Sequence, residues 1–158
     1  MQPRSPRIVE LLNEALTYEL SITNTYFLHG RMLDAWGLPR LGQVFYRRSI
    51  DEMKDADALI QRILLFEGHP NVQKLLPIRV GETPREILDL GLASEIQVVA
   101  QFNDAAAECR SLGDQATGAI FDEMAQDEET HADWFEAQLQ AIANVGIENY
   151  LAEMVDPS

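Results

Sequence analysis

Each of the four long helical segments in this sequence places an acidic residue inside its own apolar stripe. Apolar residues recur along each segment at steps of three and four, the period of one helix face. The glutamates within those stripes are Glu19, Glu52, Glu95 and Glu128. Glu19 and Glu52 are 33 residues apart, and so are Glu95 and Glu128. The pattern predicts an all-α bundle whose helices bring their carboxylates to one level of a common core.

Proline and glycine mark the ends of these helices. Ser5-Pro6 has the form of a helix start, because a hydroxyl can cap the first turn and proline fits its first position. Gly146 has the form of a helix stop. The predicted helices cover residues 5–36, 40–67, 83–113 and 114–145, followed by a short C-terminal helix at about 147–155.

The connection between the second and third predicted helices is the long one. Residues 68–82 contain Pro70, Pro77 and Gly81 and are too many for a tight helix–helix turn. The other connections are short, so the first and last helix pairs are predicted to be antiparallel hairpins. One long crossover between two hairpins is typical of a ferritin-like four-helix bundle. We therefore predict that residues 1–158 form one domain of this type, with the bundle over about 5–145.

The charge balance narrows the possible partners. Acidic residues outnumber basic ones by 26 to 12, for a formal net charge of −14. This disfavours nucleic acid, whose phosphates need a basic surface, and suits a protein that gathers cations. Cys109 is the only cysteine, which excludes an internal disulfide and fits a reducing compartment. Without a signal peptide or a long apolar run, we expect a cytoplasmic protein with no membrane partner.

The buried acids predict a metal site. One such glutamate could reach the rim or pair with an arginine, as Glu52 could with Arg48, and for a single residue this reading is as good as a functional one. Four buried, unpaired carboxylates would each cost several kcal/mol. Together they would exceed a typical domain stability of about 5–15 kcal/mol. Because the sequence offers no set of core-facing lysines or arginines, a pair of metal ions is the simplest answer.

The ligand types favour iron or manganese over structural zinc, since carboxylates dominate and no cysteine cluster exists. The di-iron bundle template has one glutamate from each of two helices and Glu-x-x-His from each of the other two. Glu128 and His131 match that motif fully. Glu52 and Asp55 match it in spacing, but aspartate stands where histidine is expected.

Several motifs make the chain similar to the bacterioferritins over nearly its whole length. They are Asn24–His29, Trp36–Leu38, Ser49–Lys54, Arg62–Leu64, Glu67–Gly68, Asp127–Glu129, His131, Asp133–Trp134 and Gly146–Leu151. The resemblance implies a 24-meric hollow cage that oxidises Fe(II), stores the ferric mineral and binds haem b between paired subunits. A ferredoxin-like electron donor for iron release is a further candidate partner, which the sequence does not identify. The iron ligands implied are Glu19, Glu52, Glu95, Glu128 and His131.

Two further residues have a structural and a functional interpretation. Met53 matches the methionine that ligates haem iron from each of two subunits. From spacing alone, it points away from the stripe that holds Glu52, and packing at a subunit interface is the favoured explanation. With the family resemblance, haem ligation is favoured instead. Tyr26 lies two turns beyond Glu19 on the same face. It could hydrogen-bond a ligand or reach bound iron, or it could be an ordinary core tyrosine.

Asp55 is the main departure from the family pattern. With two histidines, four carboxylates balance two Fe(II) ions, and Asp55 adds a fifth negative charge. We expect a site that favours Fe(III), or one that keeps a carboxylate protonated when reduced. A second hypothesis is that this subunit coassembles with a sister subunit that has an intact centre, and mainly contributes haem. Arg47 also stands where the family has an inner-surface histidine, which puts that iron-entry route in doubt.

Two other classes of function remain open on the sequence. One is a di-iron enzyme that acts on an organic substrate, which requires an apolar pocket beside the metals. The other is a non-catalytic shell subunit that carries haem, which predicts haem binding with little iron oxidation.

Overall fold

The computed structural model describes residues 1–155, and helices joined by turns and loops are the only regular secondary structure in that range. The helices are α1 (Pro6–Ala35), α2 (Pro39–Leu65), α3 (Pro84–Ser111), α4 (Gln115–Val145) and α5 (Ile147–Ala152). The predicted all-α bundle with one long crossover and a short fifth helix is confirmed. The last three residues of the predicted 1–158 domain lie outside the described range.

Side chains cap three of the four long helices at their first turn. The Ser5 hydroxyl accepts from Arg7 N at 3.2 Å, and the Thr83 hydroxyl accepts from Glu86 N at 3.1 Å. The Asp114 carboxylate accepts from Thr117 N at 2.9 Å. The start of α2 has no side-chain cap and relies on Pro39, which needs no amide partner in the first turn.

The two hairpins are α1 with α2 and α3 with α4, and residues 66–83 cross between them. Buried polar groups on α1 hold this crossover in place. His29 Nε2 accepts from Gly81 N at 3.1 Å, and the Ser21 hydroxyl accepts from Leu76 N at 2.8 Å. Burial lowers the pKa of His29 to about 4, so the ring is neutral and can accept that bond. His29 therefore has a structural role, because it anchors the crossover to α1.

Aromatic packing holds the middle of the bundle together. Phe45 of α2 contacts Tyr26 of α1 and Phe135 of α4, at ring separations of 5.6 and 5.8 Å. Gly91 of α3 allows Phe135 to approach closely, since a Cβ at Gly91 would lie 2.3 Å from the Phe135 ring. This layer lies beside the level of the four glutamates and sets the distances between the helices that carry them.

The C-terminal segment folds back on the start of α2. Arg40 N donates to the Met154 carbonyl at 3.1 Å, and the buried Tyr150 donates its hydroxyl to Gln138 at 2.9 Å. Within residues 1–155, no helix combines the length and the apolar character needed to cross a membrane.

Candidate metal centre

Four glutamates, one from each long helix, meet in the middle of the bundle. They are Glu19 of α1, Glu52 of α2, Glu95 of α3 and Glu128 of α4, and each is 0% exposed. Their helical phase explains the burial, because each glutamate occupies a core position in a stripe of apolar neighbours. The equal spacing within the two hairpins brings them to the same height.

These residues form two ligand groups that share two members. One group is Glu52, Glu95, Glu128 and His131, and the other is Glu19, Glu52, Asp55 and Glu128. Within each group, one ligand atom from every residue lies within 4.8 Å of the others. Glu52 and Glu128 belong to both groups, so each can contact two ions through its two carboxylate oxygens. The arrangement has the chemistry of a two-metal site with oxygen ligands and one imidazole.

Most side-chain polar atoms of this cluster have no hydrogen-bond partner within residues 1–155. Residues 1–155 contain nine buried side-chain nitrogen and oxygen atoms without a hydrogen-bond partner. Eight of these belong to Glu19, Glu52, Glu95, Glu128 and His131. Leaving such groups unpaired in a protein interior costs several kcal/mol each. The donor set therefore fits cations, which would satisfy all of these atoms at once.

His131 brings the only nitrogen ligand to the cluster. Its Nδ1 lies 3.2 Å from Glu52, 3.5 Å from Glu128 and 3.6 Å from Glu95, without hydrogen-bond geometry to any of them. These contacts with three carboxylates are electrostatic. They place Nδ1 where a shared cation would hold it together with the carboxylate oxygens.

Protons bound to side chains of the cluster reduce the electrostatic repulsion between its carboxylates. Burial, and next the charge of Glu52, raise the pKa of Glu19 well above its ordinary value. Burial also acts to raise the pKa of Glu52, but contacts with Glu19 and His131 outweigh it and lower that pKa. A proton held by Glu19 beside an ionised Glu52 explains the opposite directions of the two pKa shifts.

A second proton-holding pair lies on α4. Burial, and next the contact with Glu95, raise the pKa of Glu128 far above its ordinary value. For His131, burial acts to lower the pKa, but contacts with Glu128, Glu52 and Glu95 outweigh it and raise the pKa strongly. Metal ligation requires an ionised carboxylate and a neutral imidazole, so cations must displace these protons.

Asp55 is a candidate ligand that is partly exposed. It lines a cleft of about 330 Å³ together with Asp51, Lys54, Asp127, Thr130 and His131. Burial, and next the charges of Glu52 and Asp127, raise the pKa of Asp55 to about 7. Every side chain that lines this cleft is polar, so it suits a hydrated cation better than an apolar molecule.

Tyr26 contacts the ligand set directly. Its buried hydroxyl donates a short hydrogen bond to Glu95, which fixes one oxygen of that carboxylate. Burial, and next the charge of Glu95, raise the pKa of Tyr26 well above its ordinary value, so the phenol keeps its proton. The prediction that Tyr26 hydrogen-bonds a candidate ligand agrees with this geometry.

A second cavity, of about 300 Å³, lies between α1, α3 and the crossover. Tyr26 is among its lining residues, together with Tyr18, Ser21 and Arg79. None of the six candidate ligands lines this cavity. It therefore gives no apolar substrate a route to the carboxylates themselves.

The structure corrects one reading of Arg48. The guanidinium makes no ion pair with Glu52 or with any other acid in residues 1–155, although Arg48 is only 9% exposed. It stacks on Trp134 and Phe135 instead, with Cζ at 4.4 and 5.1 Å from the ring centroids. Arg48 Nη1 is the ninth buried atom without a hydrogen-bond partner. The burial of Arg48 could have been predicted from the sequence, because Arg48 falls in the core stripe of α2 between Phe45 and Glu52.

Met53 lies apart from the cluster, as its helical phase predicts. It is 50% exposed on α2 and lies next to the buried Glu52, with Ile50 partly buried one turn earlier. An accessible thioether on an outer helix face is open to a subunit contact or to a bound haem. The geometry of one subunit is compatible with both interpretations.

Comparisons with known proteins agree with the fold and with the metal chemistry of the cluster. Residues 9–145 match the family described as the ferritin-like domain. The chain is 42% identical over 145 residues to the bacterioferritin of Brucella melitensis, covering 92% of this chain and 90% of that protein. It is 41% identical over 150 residues to that of Mycolicibacterium paratuberculosis, covering 95% and 94%. The bacterioferritin of Rhodobacter capsulatus is 39% identical over 144 residues, covering 91% and 89%.

Proposed function

The chain belongs to the bacterioferritin family of ferritin-like proteins, and on that premise we propose that it stores iron and oxidises Fe(II) at the carboxylate cluster. The observation that carries this proposal is the pair of four-residue ligand groups that share Glu52 and Glu128. Eight buried polar atoms in that cluster lack any partner in residues 1–155, which is a costly arrangement unless cations bind there.

In this proposal each residue has a defined place around the two substrate ions. Glu52 and Glu128 bridge the ions. Glu95 and His131 complete one group, while Glu19 and Asp55 complete the other. The Tyr26 hydrogen bond orients Glu95 towards the ions and keeps that carboxylate from rotating away. The acidic cleft at Asp55 gives hydrated Fe(II) a path to both groups.

The reaction needs little chemistry from the protein beyond binding and proton transfer. Two Fe(II) ions each lose one electron, and the electron pair, with two protons from the solvent, reduces dioxygen to hydrogen peroxide or one hydrogen peroxide to two molecules of water. Carboxylates favour the product because their negative charge stabilises Fe(III) more than Fe(II). The protons displaced from Glu19, Glu128 and His131 leave through the Asp55 cleft. Ferric product then passes to the storage cavity of a 24-meric cage.

Haem b is the second cofactor proposed, and Met53 is its candidate ligand. The half-exposed thioether on α2 fits the role, because Met53 would hold the haem together with the Met53 of a second subunit. When bound there, haem supplies an electron path for reducing and releasing stored iron, with a ferredoxin-like protein as the donor. Arg47 is exposed and is not a metal ligand type, so we do not place an inner-surface iron site there.

The alternative is a haem-carrying shell subunit whose centre is impaired by Asp55 and which coassembles with an active sister subunit. The observation that favours it is the imbalance between the groups. One group includes an imidazole, while the other consists of carboxylates alone and opens to solvent at Asp55. An enzyme acting on an organic substrate is disfavoured, since the cleft that reaches the ligands has no apolar wall.

The test is the rate of aerobic Fe(II) oxidation at about two irons per subunit. The purified chain is compared with Glu128→Ala, which removes a bridging ligand, and with Asp55→His. Asp133→Asn, an exposed change on α4, is the matched control. A fast phase that is lost in Glu128→Ala and kept in Asp133→Asn would support a working ferroxidase. A background rate in the parent, rescued by Asp55→His, would support the shell-subunit alternative.

Assembly is tested separately on cages isolated from the source. Native mass spectrometry that finds two chain types would support coassembly, while a single chain type would contradict it. Haem is tested by the absorbance spectrum of those cages and of Met53→Leu. Loss of the haem bands in that variant alone, with the cage intact, is the expected result.

A further inference from the structure

Arg48 is the only lysine or arginine among the buried residues of the described chain, and it lies next to the metal cluster. It precedes Glu52 by four residues on α2, so it shares that residue's face about 6 Å further along the helix axis. Its stacking partners, Trp134 and Phe135, follow His131 by three and four residues on α4. Arg48 is therefore held between the two helices that supply the bridging ligands, one turn away from them.

The way in which Arg48 is held leaves its charge free to act on the cluster. Aromatic rings fix the guanidinium through cation–π contacts, and Nη1 has no hydrogen-bond acceptor within residues 1–155. No carboxylate in residues 1–155 neutralises it, and no ligand is drawn out of the cluster to pair with it. Burial lowers the pKa of Arg48, while Tyr26, Glu95, Glu52 and Glu128 oppose that shift, so the four acidic groups lie within electrostatic reach.

The balance between carboxylate and metal charges in the cluster relates Arg48 to Asp55. The cluster has five carboxylates, which exceed the charge of two divalent ions by one. We propose that Arg48 is the built-in counter-charge for Asp55, which keeps the centre reducible although aspartate replaces a neutral imidazole. This inference rests on the proposed iron site. Arg48 is a positioning residue of the electrostatic kind, because it acts on the ions without contacting them.

The reduction potential of the loaded centre is the direct readout of this role. A positive charge about 10 Å away, in a medium of effective dielectric about 20, destabilises Fe(III) relative to Fe(II) by roughly a factor of ten. Removing it should shift the Fe(III)/Fe(II) ratio at a given potential about tenfold towards Fe(III), which is 59 mV for one electron. A residue that only packs against Trp134 would leave this ratio unchanged.

The experiment uses the assembled protein loaded with about two irons per subunit. Its midpoint potential is measured by anaerobic redox titration followed by Mössbauer spectroscopy. Arg48→Met removes the charge and keeps an unbranched stem for the aromatic rings, while Arg48→Lys keeps the charge. Arg47→Met, a charge change at the exposed neighbouring position, is the matched control. Arg48→Gln replaces Arg48→Met if that variant does not fold.

We expect the potential to fall by about 59 mV in Arg48→Met and to stay near the parent value in Arg48→Lys and Arg47→Met. Asp55→His should raise the potential, and adding Arg48→Met to that variant should lower its potential again by about 59 mV. An unchanged potential in Arg48→Met, or equal shifts in the Met and Lys variants, would overturn the inference.

A Co(II) titration of the metal-free protein separates this outcome from failure of the iron site itself. Two bound Co(II) ions per subunit in the parent and in Arg48→Met would show that the ligand groups are intact. The redox result then bears on Arg48 alone. Absence of two-ion binding in the parent would overturn the proposed metal centre, and the role of Arg48 with it.

Discussion

Loading the cluster with two divalent ions should release between three and four protons per subunit at pH 7. In the metal-free protein the raised pKa values leave one proton on Glu19, one on Glu128 and an extra one on His131. Asp55, with a pKa of about 7, adds about half a proton at that pH. All four groups must give up these protons to act as ligands.

The pH dependence of the number of released protons distinguishes the contribution of Asp55 from those of the other three groups. At pH 5 Asp55 is protonated, so the release should approach about four protons, and at pH 9 it should fall to about three. The step should be centred near pH 7. In Asp55→Asn the step should disappear, because the amide does not titrate. In the parent protein at pH 7, release of between three and four protons means that the overall affinity for two ions should weaken by more than about 10³-fold for each unit of decrease in pH.

Isothermal titration calorimetry with Co(II), a divalent ion that air does not oxidise here, gives the proton count. The apparent binding enthalpy is measured in several buffers, and its slope against the buffer's ionisation enthalpy is the number of protons released. Asp133→Asn serves as the control for a lost surface carboxylate. A release below about one proton at pH 7 would refute the reasoning, since it would mean that the buried carboxyls are already ionised without metal.

Three further outcomes follow from the same contacts. Between pH 5 and 8 the metal-free protein should lose stability as the pH rises. The folded-state pKa values of Glu19, Glu128 and Asp55 are raised, so each group stabilises the fold while it is protonated and loses that contribution on ionisation. For Asp55 the contribution is lost by about pH 7. Thermal unfolding with a chelator should show this slope, and two bound Co(II) ions should remove it. Glu128→Gln should raise the unfolding temperature of the metal-free protein at pH 7 while preventing two-ion binding, because the amide has the shape of the protonated acid but does not have to take up a proton on folding; a lower unfolding temperature would contradict this. Gly91→Ala should cost about 1–3 kcal/mol in denaturant unfolding, because its Cβ would overlap the Phe135 ring, whereas Gln97→Ala on the exposed face of α3 should change little.

The ligand residues could be predicted from the sequence because helical periodicity is a local property. Glu19, Glu52, Glu95 and Glu128 each interrupt an apolar stripe, and equal spacing within two hairpins implies a common height. Asp55 and His131 follow from the three-residue step, which keeps side chains on one helix face. Their burial and proximity in the structure agree with those predictions, while their roles as iron ligands remain proposals.

The role of Arg48 could not be predicted in the same way. Its helical phase puts it in the core stripe, yet a buried arginine can pair with an acid on its own helix or stack on a ring of another. The choice depends on which α4 residues lie opposite, and these are Trp134 and Phe135. Sequence spacing on α2 contains no information about that register.

The sequence by itself determined the all-α class, the two hairpins with one crossover, and the set of acids that face the core. These follow from periodicity, capping and the positions of proline and glycine, which act within a few residues. Only the tertiary structure decided that Glu52 and Glu128 belong to both ligand groups, that Asp55 opens to a cleft, and that Arg48 stays unpaired. Those features depend on distances between helices, which are set by side-chain packing across the bundle, such as Phe135 against Gly91.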